Sequence, residues 1–400
     1  MRYLLGMDDT DSRFGHCTTH LGYLVVSELA RIGCTIPAYP RLVRLNPNIP
    51  FKTRGNAAVC VEFEARSEPL RDEAFRAAER LLEAEADVAN GANSALIMVS
   101  EDSDLSFFRQ LYRRALSGVV SYRSVTRAVS EMDLRRRLLG NGMGIVGAAS
   151  SLGFSCASDH TYELIAYRRP ENCGTPREVF PRSVEEMELE TFPHTFNSYD
   201  HESGRVLVAP TGPDPVLVGV RGDSPRAILD AFRRVEIREE PLGYLIYATN
   251  QCTDAHLADR LSIPLKAYSA GWVEGFVVST EMLEGSHLRV RLRAGDSVDC
   301  MVYEPSGDLR RMARSLRSGD EVRMSGGVRR ASSKNPSVVN VEKIDVLRAS
   351  PHLPRGAYLP SPRAQRHLTK QLIRYGNEVK EQFGVIPGWT VLPSPSILAR

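Results

Sequence analysis

Three aspartates, Asp8, Asp9 and Asp11, fall within four residues of one another in the run GMDDTDSRFGHCTTHLG, residues 6–22. They follow a short apolar segment that reads as a buried strand. Carboxylates clustered at a strand end hold a hard cation such as Mg²⁺ through oxygen. A loop with Gly15 follows, and Thr18 and Thr19 open a helix. The first backbone N–H groups of a helix lack internal partners and receive phosphate. The run therefore suits a metal–nucleotide site. The plainer alternative is an Asp/Thr/Ser turn with an N-capping threonine. Three carboxylates in so short a span favour the metal. An EF-hand is excluded, because Arg13 and Phe14 occupy a ligand position and the glycine position. The chain contains no Walker A sequence.

Other polar groups are candidates to complete such a site. In FKTRGNAA (51–58), Lys52 and Arg54 precede the Gly55–Asn56 turn. They suit phosphate, lysine as a point charge and arginine as a fork; a solvated charged hairpin is an equal alternative. Gly142, Gly144 and Gly147 match the G-x-G-x-x-G spacing, but the Arg-rich stretch before them reads as helix, not strand. We read that run as a glycine-rich turn and helix start near an anion, or as tight helix packing. Asp214 and Asp254 lie at predicted strand ends, in TGPDPVLVGVRG and TNQCTD with Arg221 and Asn250. Either aspartate suits a cationic substrate, although turn chemistry explains each singly. His16 and His20 flank Cys17, whose thiol a helix N-terminus would activate.

These residues need elements to position them. Apolar spacing predicts strands at 2–7, 57–64, 94–99 and 161–168, and helices at 20–32, 68–87 and 103–117. Residues 120–137 are basic and read as helix, and 170–203 read as loop. A second α/β unit covers about 204–260, with strands at 205–209, 216–220 and 243–248 and a helix at 224–235. From 268 to 347, five short strands with one basic helix between the third and fourth fit an OB-fold barrel. Within it, Arg289, Arg291 and Arg293 alternate onto one face. The tail, 348–400, is Pro-rich and basic. The fold class is therefore α+β and multidomain.

Composition narrows the rest. The 400 residues carry 51 Lys and Arg against 49 Asp and Glu, so any nucleic-acid surface is local. Seven scattered cysteines form no C-x-x-C pair, which disfavours a disulfide scaffold or a four-cysteine zinc site. The apolar start is too short for a signal peptide, and no run approaches the roughly 20 apolar residues of a membrane helix. We expect a soluble, cytoplasmic protein without membrane partners.

Taken in order, GMDDTDS…GHCTTHLG, FKTRGN, GNGMGIVGA, GPDPVLVGVRG, TNQCTD and the barrel resemble the archaeal tRNA-Ile 2-agmatinylcytidine synthetases, the TiaS family. The resemblance covers nearly the whole chain. It implies an ATP-binding kinase-like α/β domain (1–157), a ferredoxin-like domain (158–266), an OB-fold domain (267–347) and a basic tail (348–400). It implies a ligase that uses ATP to activate C2 of the wobble cytidine in a CAU-anticodon tRNA-Ile. The amine of agmatine then displaces phosphate, and the tRNA reads AUA as isoleucine. The family's autophosphorylated threonine falls on Thr18, and its acidic metal and nucleotide residues on Asp8, Asp9 and Asp11. ATP is expected at Lys52, Arg54, Gly55, Asn56, Gly142 and Gly144, and agmatine at Asp214 or Asp254. Contacts with tRNA are expected at Arg289, Arg291, Arg293, Arg329, Arg330, Arg363, Arg366 and Lys370. The family usually carries a zinc ribbon after the barrel. Here Cys300 is the last cysteine, and no zinc is expected.

Overall fold

The computed structural model describes residues 1–348, except 54, 193, 201–203, 305, 307 and 334, together with the backbone of 374–375. The chain forms two compact units, one of residues 1–180 and 208–251, the other of 181–207 and the residues from 252 onward.

The first unit is built on one sheet. Its strands are β1 Arg2–Asp8, β2 Arg41–Arg44, β3 Ala57–Glu64, β4 Ala95–Ser100, β5 Arg136–Leu138, β6 Thr161–Tyr167, β7 Val216–Gly222 and β8 Gly243–Thr249. They run in the order β5-β4-β1-β3-β2-β8-β6-β7. β8 joins β2 in parallel, so strands from both sides of residue 158 share the sheet. The other pairings named for these strands are antiparallel.

Helices α1 Thr18–Arg31, α2 Glu68–Glu85, α3 Ser106–Ser117, α4 Tyr122–Glu131, α5 Ile145–Ser151 and α6 Pro225–Phe232 complete this unit. Leu21, Val25 and Leu29 of α1 pack with Leu5, Met7 and Val59 of β1 and β3 in one apolar cluster. On the other side of the sheet, Ile145, Ala148 and Ala149 of α5 pack with Leu4, Ile97 and Phe108. Gly6 permits that approach, because a Cβ there would lie 2.2 Å from the Ala148 carbonyl oxygen.

Two expectations are corrected here. The basic stretch before the glycine motif is not helical throughout. Helix α4 ends at Glu131, and Arg136–Leu138 form strand β5 beside β4. Its arginines are drawn out by acids on α2: Arg137 pairs with Glu79 and Glu83, and neighbouring Arg135 with Asp72. The glycine motif thus does follow a strand, but an antiparallel one, which is not the parallel βαβ context of a dinucleotide fold. Within 170–203, read as loop, a helix spans Pro181–Thr191, burying Val184, Met187 and Glu188. Proline at its start is compatible with a helix, and an Arg182–Glu186 pair supports its exposed face. The strand expected at 205–209 is reduced to Arg205–Val206.

The second unit contains a closed barrel: β9 Ala270–Met282, β10 Leu288–Ala294, β11 Asp296–Val302, β12 Glu321–Arg329 and β13 Val338–Arg348. β9 pairs antiparallel with β10 and β12, β10 with β11, and β12 with β13. A parallel β11–β13 pairing closes the ring. The helix Asp308–Ser315 lies between the third and fourth strands, and Met312 and Ala313 enter the core. Alternation along β10 sends Leu288, Val290 and Leu292 inward, leaving Arg289, Arg291 and Arg293 outside. Among the described residues, no helix is long and apolar enough to cross a membrane.

Candidate active site

Strand β1 delivers Asp8 to its C-terminal end, beside the start of α5. The Asp8 Oδ1 accepts the backbone N–H of Asp9 at 2.8 Å. Asp9 itself is left-handed, at φ 60°, and its carbonyl accepts from Ser94 Oγ at 2.6 Å. Gly147 must be glycine: a Cβ there would lie 1.8 Å from Asp8 Oδ2. The third glycine of the motif therefore lets α5 close against the carboxylate, which is the tight helix packing that is one of the two readings of this run.

The carboxylates oppose one another electrostatically. Desolvation, then the charges of Asp9 and Asp11, push Asp8 well above the carboxylate range, against the hydrogen bond from the Asp9 N–H. Desolvation and Asp11 push Asp9 up to about 6, against hydrogen bonds from Asn93 and Thr53. A hard cation relieves such strain. Among the described residues, no group of three or more His, Cys, Asp or Glu is placed to hold a metal ion by itself, Asp8, Asp9 and Asp11 included. Mg²⁺ does not require one, because it keeps several waters and takes one or two carboxylates plus substrate phosphates. One or two of these carboxylates are of the oxygen-donor type that such a cation would take beside a substrate phosphate.

Asp8, Asp9 and Asp11 line a cavity of about 350 Å³ with Lys52, Gly55, Asn56, Gly144 and Gly147. Asn56 is fixed by donating to the Asn46 carbonyl at 2.8 Å, and the Lys52 ammonium donates to the Pro47 carbonyl. Gly142 is not among the lining residues; it makes the left-handed turn, at φ 70°, that precedes α5. Arg54 lies outside the described residues. The lining also includes the apolar side chains of Leu45, Phe51, Val119, Val120, Tyr122 and Met143. Sequence reading missed these residues, which come from segments far apart in the chain, Tyr122 from the start of α4. The lining thus combines apolar side chains with carboxylates, a lysine and glycine backbone, a mixture that suits a nucleoside triphosphate.

Thr18 is not among the residues that line this cavity. The helix cap is Cys17, which makes no side-chain cap bond, so Thr18 is the first helical residue and not the N-cap. Thr18 is 5% exposed, and its hydroxyl bonds the Thr10 hydroxyl at 3.1 Å. Tyr167 and Tyr247, from β6 and β8, both donate to the Thr19 carbonyl, at 2.9 and 2.6 Å. They tie the start of α1 to strands beyond residue 158. Cys17 is not activated. Desolvation raises its thiol pKa, as do Asp214 and Asp11, despite the nearby Thr19 hydroxyl.

Beside the site lies an ion triad that sequence reading missed. Glu163 of β6 is buried and binds Arg221 of β7 at 2.9 Å and Arg44 of β2 at 3.2 Å. Burial opposes its charge, but the two arginines hold its carboxyl below the usual range. Arg44 in turn borders Gly55, where a Cβ would meet its guanidinium at 3.3 Å. The strand-end Asn250 accepts from the Arg44 N–H at 2.7 Å.

The two aspartates considered for a cationic substrate belong to different units, and each has an internal partner. Arg177 donates to the Asp214 carbonyl at 2.7 Å and reaches its carboxylate at 3.4 Å. Asp254 binds Lys343 at 2.8 Å, while its other oxygen is buried without a hydrogen bond. On the barrel, Arg289 pairs with Glu281 and Arg291 with Asp299. Arg293 lies over Phe276, and Arg329 and Arg330 are exposed. Arg363, Arg366 and Lys370 lie outside the described residues.

Comparison with known proteins matches this architecture. The model of the TiaS TCKD domain matches residues 4–140, and that of the TiaS FLD domain residues 142–256. The chain belongs to the TiaS family. It is 36% identical to the isoleucine-tRNA 2-agmatinylcytidine synthetase TiaS of Cenarchaeum symbiosum, over 97% of this chain and 96% of that one. It is 38% identical to TiaS of Methanopyrus kandleri, over 86% of this chain and 80% of that one. Among solved structures, a complex of TiaS with its isoleucine tRNA and ATP superposes with a TM-score of 0.79 at 31% identity, covering 88% of this chain and 82% of that one. A complex of TiaS with the same tRNA, AMPCPP and agmatine gives 0.78 at 30% identity, covering 88% and 84%. A ZRD-deleted mutant of TiaS in complex with agmatine gives 0.77 at 27% identity, covering 92% and 96%.

Proposed function

We propose that this TiaS-family chain is an ATP-dependent tRNA-Ile 2-agmatinylcytidine synthetase. ATP phosphorylates the C2 carbonyl oxygen of the wobble cytidine in the CAU anticodon. The primary amine of agmatine then attacks C2, and phosphate leaves with that oxygen. The observation that carries the reading is the cavity at the end of β1, where three carboxylates share the lining with Lys52, glycines and apolar side chains.

In this reading the apolar lining takes the base of ATP, and Lys52, Arg54, Gly55, Asn56 and Gly144 serve its phosphates, while Gly142 shapes the turn before α5. Asp8, Asp9 and Asp11 hold Mg²⁺, which when bound offsets charge on the transferring phosphoryl group. Thr18 is the residue that accepts a phosphoryl group, and its hydroxyl must first leave Thr10. Asp214 or Asp254 takes agmatine. The cytosine leaves its stack to reach the cavity.

We assign residues 1–157 to a kinase-like domain, 158–266 to a ferredoxin-like domain and 267–347 to an OB fold, with 348–400 a basic tail. The strand order and the helix position of the barrel support the last of these domain names. Arg289, Arg291, Arg293, Arg329, Arg330, Arg363, Arg366 and Lys370 contact tRNA, and the enzyme works in the cytoplasm.

The test is to combine the protein with ATP, Mg²⁺, agmatine and a CAU-anticodon tRNA-Ile transcript, then weigh the digested nucleosides. One cytidine carrying one agmatine is the expected product. ATP consumption without that product would instead indicate another acceptor.

A further inference from the structure

The outer face of barrel strand β9 carries Trp272, Glu274 and Phe276 at period two. Three arginine–aromatic stacks converge on this strand. The Arg323 guanidinium lies 4.4 Å from the centre of the Trp272 ring, and that of Arg260 lies 5.7 Å from it. Arg293 of β10 lies 5.7 Å from the Phe276 ring centre. Such contacts occur about once per 70–80 residues in proteins generally, so three on one strand form a concentrated feature.

The rings are held in place. The Trp272 indole N–H donates to the Ala258 carbonyl at 3.1 Å, which fixes its plane. Arg323 is anchored by Glu274 at 2.7 Å. Arg260 and Arg293, in contrast, have no carboxylate partner among the described residues. Phe276 is 37% exposed, and Val278 beyond it 46%. Trp272 and Phe276 are four residues apart on one strand, about 13 Å at the usual rise.

We propose that this face is a stacking platform for unpaired nucleotides of the RNA substrate. The inference rests on the RNA-modifying function proposed above and adds the surface that grips single-stranded RNA. Aromatic faces and guanidinium planes stack on any base, and the N–H edges of the guanidinium groups reach the flanking phosphates. The charge favours RNA over an apolar protein segment. Arg260, Arg289, Arg291, Arg293, Arg323 and Arg348 outnumber the carboxylates Glu274, Glu281, Asp299 and Glu321, the last opposite Phe276 and paired with Arg348. Arg289 and Arg291 are paired with those acids, whereas Arg260 and Arg293 are left to phosphate.

The test uses the full chain. Its two tryptophans include Trp272, so Trp389→Phe leaves Trp272 as the sole indole reporter. Titration with a uridine hexamer, and separately with the CAU-anticodon transcript, quenches that emission saturably. The pair Trp272→Leu with Phe276→Leu keeps an apolar surface but removes the rings. It weakens transcript binding about tenfold and leaves the dependence on salt unchanged, because no charge is lost. Trp272→Tyr restores most of the affinity. Should the leucine pair fail to fold, Arg293→Gln alone lowers the salt slope by roughly one unit. Unquenched emission at saturating transcript, or unaltered affinity in both the leucine pair and Arg293→Gln, overturns the platform. If such variants bind normally while the wild type makes the agmatinylated product, only the platform fails. A wild type that does not bind the transcript overturns the underlying function as well.

Discussion

Charge is handled in opposite ways at the end of β1 and on the barrel. On the barrel, outward arginines meet carboxylates: Arg291 lies on Asp299 at 2.8 Å, and Arg289 on Glu281. At the end of β1, carboxylates meet one another, and Asp8 and Asp9 are pushed up in pKa as a result of burial and that mutual repulsion. The first arrangement stabilises a surface as it stands. The second is costly in the isolated protein, and a bound cation would relieve it, a strain that is concentrated at functional sites and absent from solvated faces.

The largest effect expected from breaking this contrast is on ATP use. Asp9→Asn removes one charge from the cluster and lowers ATP consumption about a hundredfold or more, while transcript affinity in a filter-binding assay stays within a factor of two or so. Retention of ATP use would remove the carboxylates from the chemistry. Next comes the triad beside the site. Glu163→Gln leaves Arg44 and Arg221 facing each other without an acid and costs on the order of 3 kcal/mol in chemical denaturation. A loss below about 1 kcal/mol would mean that solvent already screens the pair. The smallest effects are on the barrel. Arg291→Ala changes stability by less than about 1 kcal/mol and transcript affinity less than Arg293→Ala does, because Asp299 already neutralises Arg291. Equal losses of affinity would place the RNA surface along the whole β10 row.

What could be read in the sequence was local. Three aspartates after an apolar strand place carboxylates at a sheet end whatever surrounds them. The alternation RVRLR fixes which side of β10 is charged. The barrel was legible because five short strands and one helix follow a regular spacing. What could not be read was contact across long separations. Glu163 meets Arg44 across 119 residues and Arg221 across 58, and nothing in either segment announces the partner. The apolar lining of the cavity was hidden for the same reason. Strand β5 reads as helix in the sequence because its arginines suit either state; acids on α2 decide it. The helix at Pro181–Thr191 was concealed by a polar composition that buries only a narrow stripe. Thr18 lay where a helix start was expected, yet its hydroxyl bonds Thr10 instead of capping the helix.

Thermal unfolding against pH measures directly whether the carboxylates at the end of β1 are strained until a cation binds. A native pKa of about 6 for Asp9 exceeds the usual value near 4. The folded state then binds more protons than the unfolded one between those values, so this group's contribution to stability is lost as pH rises from about 4 to 6. Melting the wild type and Asp9→Asn without Mg²⁺ between those limits should show the variant gaining a few degrees on the wild type as pH rises. Adding Mg²⁺ near neutral pH should close that gap by stabilising the wild type alone. A difference between the two proteins that does not change with pH, or an equal response to Mg²⁺, would contradict the account.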